Sequence, residues 1–227
     1  YRYYLLDAAR ENAHKNGFNG AQYPWESADD GSEQCPDWTI EPDGSCYRCY
    51  VAVYEHHVTA AVAYGIYDYV KITGDIDFLY TKGAEILTET ARFWASRCEY
   101  NNEQDRYEIN QVTGPDEWHE PVNNNLYTNY LARWNLKYVL SLLEVMKKEE
   151  TSSYNELVEK TGLTEMETAK WKEVQEKIYL PRKEGTKLLE QFEGYFELDN
   201  VTIEKYDEND WPIRPEALKT KKAKETQ

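Results

Sequence analysis

The residues best suited to chemistry lie in one run, Val112-Thr113-Gly114-Pro115-Asp116-Glu117-Trp118-His119-Glu120-Pro121-Val122-Asn123-Asn124-Asn125. Gly114-Pro115 bends the chain, and carboxylates then alternate with a large ring and an imidazole just ahead of a helical pattern. Such a set suits sugar chemistry: the ring stacks on a sugar face, and an acid in partly apolar surroundings has its pKa raised and can protonate a leaving oxygen. The same residues also read as an acidic helix entry, with Asp116, Glu117 and Glu120 favouring the N-terminal dipole and doing no catalysis. A second cluster, Ala21 to Gly31, again sets a tryptophan, Trp25, beside carboxylates, Glu26, Asp29 and Asp30. Its plain alternative is a packed tryptophan with solvated neighbours.

His56-His57 invites a metal reading, but adjacent helical residues point about 100° apart, so the pair is ill placed to share an ion. His119 completes no ligand set, and hydrogen-bonding roles are expected for these rings. Cys35, Cys46, Cys49 and Cys98 are too sparse for a disulfide scaffold. Cys46-Tyr47-Arg48-Cys49 has CxxC spacing, yet no second CxxC completes a zinc site and no βαβ pattern follows. No metal is expected.

The elements that would position these clusters are helices. Apolar residues recur at three- and four-residue intervals from Tyr54 to Ile72, from Asp77 to Cys98 and from about Tyr127 to Lys148. Thr73-Gly74-Asp75 stops one helix and caps the next, which predicts an antiparallel helical hairpin. Arg2 to Lys15, closed by Gly17, Ser153 to Lys160, and Thr164 to Lys177 with Glu167 in capping-box spacing add three more helices. Strand signals are confined to a short hairpin between Arg97 and Ile109. Asn19 to Val51 and Asn110 to Leu126 are long aromatic loops without helical period, of the kind that carry function on a helical scaffold. The predicted class is all-α.

Composition narrows the partners. The 227 residues carry 26 lysines and arginines against 42 acids, a formal charge of −16, which disfavours a nucleic-acid phosphate backbone. No run approaches the roughly 20 apolar residues of a membrane helix, and Tyr1 to Arg10 has no signal-peptide character, so a soluble, cytoplasmic protein is expected, with no membrane partner.

At the two loops the sequence resembles the central catalytic domain of glycoside hydrolase family 65, inverting α-glucoside phosphorylases that act on kojibiose, nigerose, trehalose or maltose. The segments carrying the likeness are Tyr23-Pro24-Trp25-Glu26-Ser27-Ala28, His57-Val58-Thr59-Ala60, Ala91-Arg92-Phe93-Trp94, Thr113 to Glu120, Asn123 to Asn129, and Gln191-Phe192-Glu193-Gly194-Tyr195-Phe196. They run in order to about Trp211. The resemblance implies part of an (α/α)₆ barrel over residues 1–217, followed by a polar tail at 218–227. It implies Glu117 as the general acid, Trp25, Glu26 and His57 as contacts to the glucosyl unit, and Trp118 and His119 as candidates near the acceptor or the acid. The Asp-Glu-aromatic-His-Glu form looks more like the kojibiose, nigerose or trehalose branch than the maltose branch.

The implied reaction is phosphorolysis of an α-linked glucose disaccharide, with inorganic phosphate as co-substrate and no cofactor, giving β-glucose 1-phosphate and a free acceptor. A phosphorylase can dispense with a base because phosphate is already an anionic nucleophile. An inverting hydrolase of the acid trehalase kind and a non-catalytic carbohydrate-binding fragment are the alternatives. Family members are several times longer, and the downstream segments associated with phosphate are not found here, so the chain is expected to be a fragment and incomplete as a catalyst by itself. A homo-oligomer of the full-length protein is compatible with the resemblance.

Overall fold

A computed structural model describes residues 1–40, 43–116, 119–213 and 223–224. A single 3₁₀ turn, Arg2–Leu5, leads into α1, Leu6–Lys15, which buries Leu6, Ala9 and Ala13 along one stripe. The next long helix, α3 (His57–Thr73), follows a separate short turn, α2 (Val51–Tyr54), so the expected helix from Tyr54 starts three residues later. α3 buries Ala60, Ala63, Ile66 and Val70, the i, i+3, i+6, i+10 pattern of a helix with one inward face. It ends at Gly74, and the Asp75 carboxylate accepts from the Phe78 amide at 3.0 Å, forming the predicted stop and cap.

The helix predicted over 77–98 is present as α4 (Ile76–Phe78), one π turn at Leu79–Gly83, and α5 (Ala84–Arg97). At the π turn α3 comes close: a Cβ on Gly83 would lie 3.2 Å from Ile66 Cγ2. α5 is buried nearly all round, with Phe93 and Trp94 fully enclosed. Charged residues on it, Glu85 and Glu89, are also buried and are matched by cations of other helices and of α5 itself. Glu85 pairs with Arg10 of α1 at 2.9 Å and with Lys160 at 2.6 Å, while Glu89 pairs with Arg92 at 2.8 Å, which itself reaches Glu167 at 2.7 Å. Removing the Arg92 charge would leave the buried Glu89 short of a partner, at a cost of up to about 3–5 kcal/mol.

α6 (Leu126–Glu149) is the longest described helix and packs on α3, α5 and α8. α7 (Thr151–Thr161) and α8 (Glu165–Lys177) follow, α8 opening with the complete Thr164/Glu167 capping box. Leu136, Val139, Met146, Trp171 and Val174 close the core between α6 and α8. The predicted hairpin is β3 (Glu99–Asn101) against β4 (Arg106–Glu108). A second hairpin, β1 (Trp38–Ile40) against β2 (Cys46–Arg48), lies in the stretch expected to be irregular. All six of its residues are exposed, and strands of three residues are too short for a two-residue period to announce them.

Candidate active site

The first turn of α3 is where the site segments meet. Ala21 and Gln22 are stitched to Glu89 and Ala9 carbonyls at 3.0 and 2.9 Å, and the Tyr23 amide donates to Thr59 Oγ1 at 3.1 Å. This anchoring delivers Trp25 to His57, ring centroids 5.5 Å apart and edge-on. Tyr127, from the first turn of α6, also meets the His57 ring edge-on, at 5.5 Å. Burial lowers the pKa of His57, whose ring Nε2 lies 4.0 Å from Glu55 Oε2, so it is a neutral imidazole at pH 7. A neutral ring in contact with two aromatic side chains is suited to binding hydroxyl groups.

The stretch around Glu26 is held by another acid. Glu33 accepts from the amides of Trp25 at 2.6 Å, Glu26 at 3.0 Å and Cys35 at 2.9 Å. Glu26 itself is exposed. The sequence contains no local signal for Glu33, since its partners are backbone groups up to eight residues away.

The acid-bearing loop doubles back on itself. Val112 and Val122 exchange amide-to-carbonyl bonds of 2.9 and 2.8 Å, making a neck, and Thr113 donates to the Tyr54 carbonyl at 3.1 Å, which brings the loop to the start of α3. Three successive asparagines set the neck. Asn123 Oδ1 accepts from the Gln111 amide at 3.1 Å, Asn124 Oδ1 from the Ile109 amide at 3.1 Å, and Asn125 Oδ1 from the Thr128 amide at 3.1 Å as the N-cap of α6. Asn124 further donates to Glu193 at 2.9 Å and accepts from Asn129 at 3.0 Å. Gly114 lies so close to this array that an added Cβ would meet Asn125 Nδ2 at 2.2 Å.

Within the loop, Asp116 accepts from Gln191 Nε2 at 2.9 Å and faces His119 Nδ1 at 3.3 Å. His119 is buried, with Nε2 3.0 Å from the Ala223 carbonyl and its ring against Phe192 and Tyr195 at 5.0 and 6.2 Å. Glu120 accepts from the Tyr47 hydroxyl, which links β2 to the loop; that bond is the main reason the Tyr47 pKa is pushed up to about 12.

Of the residues singled out in the sequence, Trp25 and His57 are brought into contact. Glu26 follows Trp25 with its backbone pinned, His119 makes its contacts with Asp116, Phe192, Tyr195 and Ala223, and Glu117 and Trp118 lie outside the described residues. The acidic helix entry is corrected: α6 begins at Leu126 with an asparagine cap and has no acid in its first turn. Asp116 is committed instead to Gln191 and His119. Tyr127, Glu33, Asn124 and Gln191 belong to the site's framework without having been picked out. Gln191 and Tyr127 could have been found inside the segments that carry the family likeness; the asparagine run could have been read as backbone-binding from its residue type. Among the described residues no group of three or more His, Cys, Asp or Glu side chains is gathered to hold a metal. No helix is long and apolar enough to cross a membrane among them.

Known proteins share this arrangement of sequence. Over all 227 residues the chain is 53% identical to a kojibiose phosphorylase of Caldanaerobacter subterraneus subsp. tengcongensis, of which it spans 29%. It is 36% identical over 214 residues to an α,α-trehalose phosphorylase of Thermoanaerobacter brockii, covering 94% of this chain and 26% of that protein. A solved structure described as "Putative kojibiose phosphorylase from human microbiome" superposes with a TM-score of 0.78 at 29% identity, over 93% of this chain and 29% of that one. The chain thus spans less than a third of the curated relatives it matches. Residues 1–227 match the profile of the glycosyl hydrolase family 65 central catalytic domain, and the chain belongs to that family.

Proposed function

We propose that the protein carrying this chain is an inverting phosphorylase of α-linked glucose disaccharides, with kojibiose the first substrate to test and nigerose and trehalose next. The observation that carries this reading is the 53% identity to a kojibiose phosphorylase along the entire chain. The ring cluster of Trp25, His57 and Tyr127 beside the loop of Asp116 supports it, because aromatic faces next to carboxylates suit a sugar.

In this reading Glu117, as the neutral acid, gives its proton to the glycosidic oxygen while inorganic phosphate attacks the anomeric carbon from the opposite face. The carbon–oxygen bond to the acceptor breaks, a carbon–oxygen bond to phosphate forms, and the products are β-glucose 1-phosphate and the free acceptor sugar. Trp25, Glu26 and His57 contact the glucosyl unit, and Trp118 and His119 are the candidates for roles at the acceptor or the acid. Asp116 orients the loop through Gln191 and His119. Phosphate is a co-substrate and no cofactor is required. Residues 1–217 form part of an (α/α)₆ barrel and 218–227 a polar tail, the protein works in the cytoplasm, and the full-length form can assemble as a homo-oligomer.

The test is to incubate the full gene product with kojibiose, nigerose or trehalose, with and without phosphate, and to assay β-glucose 1-phosphate and free glucose. Phosphate-dependent β-glucose 1-phosphate supports the proposal. Phosphate-independent glucose release assigns a hydrolase instead, and sugar binding without turnover assigns a carbohydrate-binding protein.

A further inference from the structure

Two buried residues outside the substrate contacts connect the pieces of the site. His56, at the N-cap position of α3, sits next to His57 but points the other way, into Phe18 and Phe93, with ring centroids 6.0 and 5.9 Å away. Its Nε2 donates to the Val53 carbonyl at 2.8 Å, which leaves Nδ1 as the acceptor for Arg97 Nε at 3.1 Å. Arg97 is the last residue of α5 and is 6% exposed. The rest of its guanidinium donates to Glu99 Oε1 at 3.1 Å and to the Asn110 carbonyl, and Asn110 Nδ2 donates back to Glu99 Oε2 at 3.0 Å. One planar fork therefore holds both the entry to α3 and the base of the loop that carries Asp116. His56 stays neutral in this setting, since burial and then the Arg97 charge push its pKa down to about 3.

We infer that His56 and Arg97 form a positioning pair that sets the distance between the His57 ring cluster and the acid-bearing loop. The inference rests on the phosphorylase reading above and adds to it two residues outside its proposed substrate contacts. Arginine suits the task because its donors diverge at fixed angles, whereas a lysine supplies one mobile centre and cannot reach two elements in a fixed geometry. A misplacement of about 1 Å between reacting groups costs on the order of 100-fold in rate, so a loosened pair acts on turnover more than on sugar binding.

The experiment compares His56→Asn, His56→Phe and Arg97→Lys in the full gene product. Asparagine offers an acceptor near the place of Nδ1, while phenylalanine keeps the packing on Phe18 and Phe93 and removes the acceptor. Positioning predicts that His56→Asn keeps kcat within about tenfold, that His56→Phe and Arg97→Lys lose roughly 100-fold, and that KM for the disaccharide changes less than kcat in all three. A ranking in which His56→Phe outperforms His56→Asn, or losses that match the folded fraction, would overturn the inference in favour of simple packing. If the wild type forms no β-glucose 1-phosphate, the phosphorylase reading fails by itself, and the pair is judged by amide hydrogen exchange. His56→Phe should then speed exchange in both 54–60 and 109–113, and faster exchange at 54–60 alone refutes the coupling.

Discussion

The two long loops have similar composition and opposite construction. Residues 109–125 are closed at a neck by backbone pairing, pinned by three asparagines and buttressed by Gln191 and Glu193. Residues 26–50 hang from Glu33 and then run into a hairpin whose strand residues are all exposed. A carboxylate in the first loop is held in a fixed frame, whereas in the second a carboxylate serves mainly to hold the frame. Identical residue types are thus given different work by what surrounds them.

The sharpest way to test that contrast is to neutralise one acid in each loop. Glu117→Gln keeps the shape and removes the proton donor, and turnover of the full gene product should fall about 10²–10⁴-fold, while Glu26→Gln should cost far less. Comparable losses, measured as kcat on kojibiose plus phosphate, would erase the distinction. Asn124→Ala comes next. It leaves the fully buried Ile109 amide without its side-chain acceptor and strips a partner from Asn129. Asn129 Nδ2 keeps the Tyr179 carbonyl, so the Ile109 amide is the group left unmatched, and a loss of about 1–3 kcal/mol is expected from denaturant unfolding.

Acid should act on the region where the held loop meets α3. His56 has its pKa lowered from the usual 6.5 to about 3, and His57 is lowered too, so the unfolded chain binds these protons more readily than the folded one. Their contribution to stability is complete above about pH 6.5 and declines as the pH falls from there toward 3, at up to about 1.4 kcal/mol per pH unit for His56. Unfolding curves between pH 7 and 5 should show this slope, and His56→Asn should flatten it. Smallest of all are changes in the open loop. Glu33→Ala should cost about 1–2 kcal/mol, since its backbone donors can turn to water. Trp38→Ala, at a side chain 58% exposed, should stay within about 0.5 kcal/mol.

Helices were legible where a periodic stripe or a cap marks them: Ala60, Ala63, Ile66 and Val70 announce α3, and Thr164 with Glu167 marks the start of α8 to the residue. Trp25 and His57 were legible as a pair through the family resemblance, not through spacing, since 32 positions separate them. Glu85, Glu89 and Arg92 fall on one face of α5 and look like a solvated edge; only the arrival of Arg10, Lys160 and Glu167 from other helices turns them inward. The same limit hid Arg97 and Glu33. Glu33 binds only backbone amides of its own loop, and Arg97 joins the His56 ring to the Asn110 carbonyl; a backbone group has no residue identity by which a sequence could advertise it, and 41 positions separate Arg97 from His56.

The contact between Gly114 and Asn125 also constrains the order in which this site can change over evolutionary time. A side chain at position 114 collides with the Asn125 amide, and Asn125 cannot be given up without uncapping α6. Either first step is deleterious, but loss of the Asn125 side chain relieves the clash at 114, so substitutions at the two positions are expected to be epistatic. A lineage reshaping this loop for another sugar would meet fewer barriers by altering residues between them, leaving the two ends locked while the tip explores.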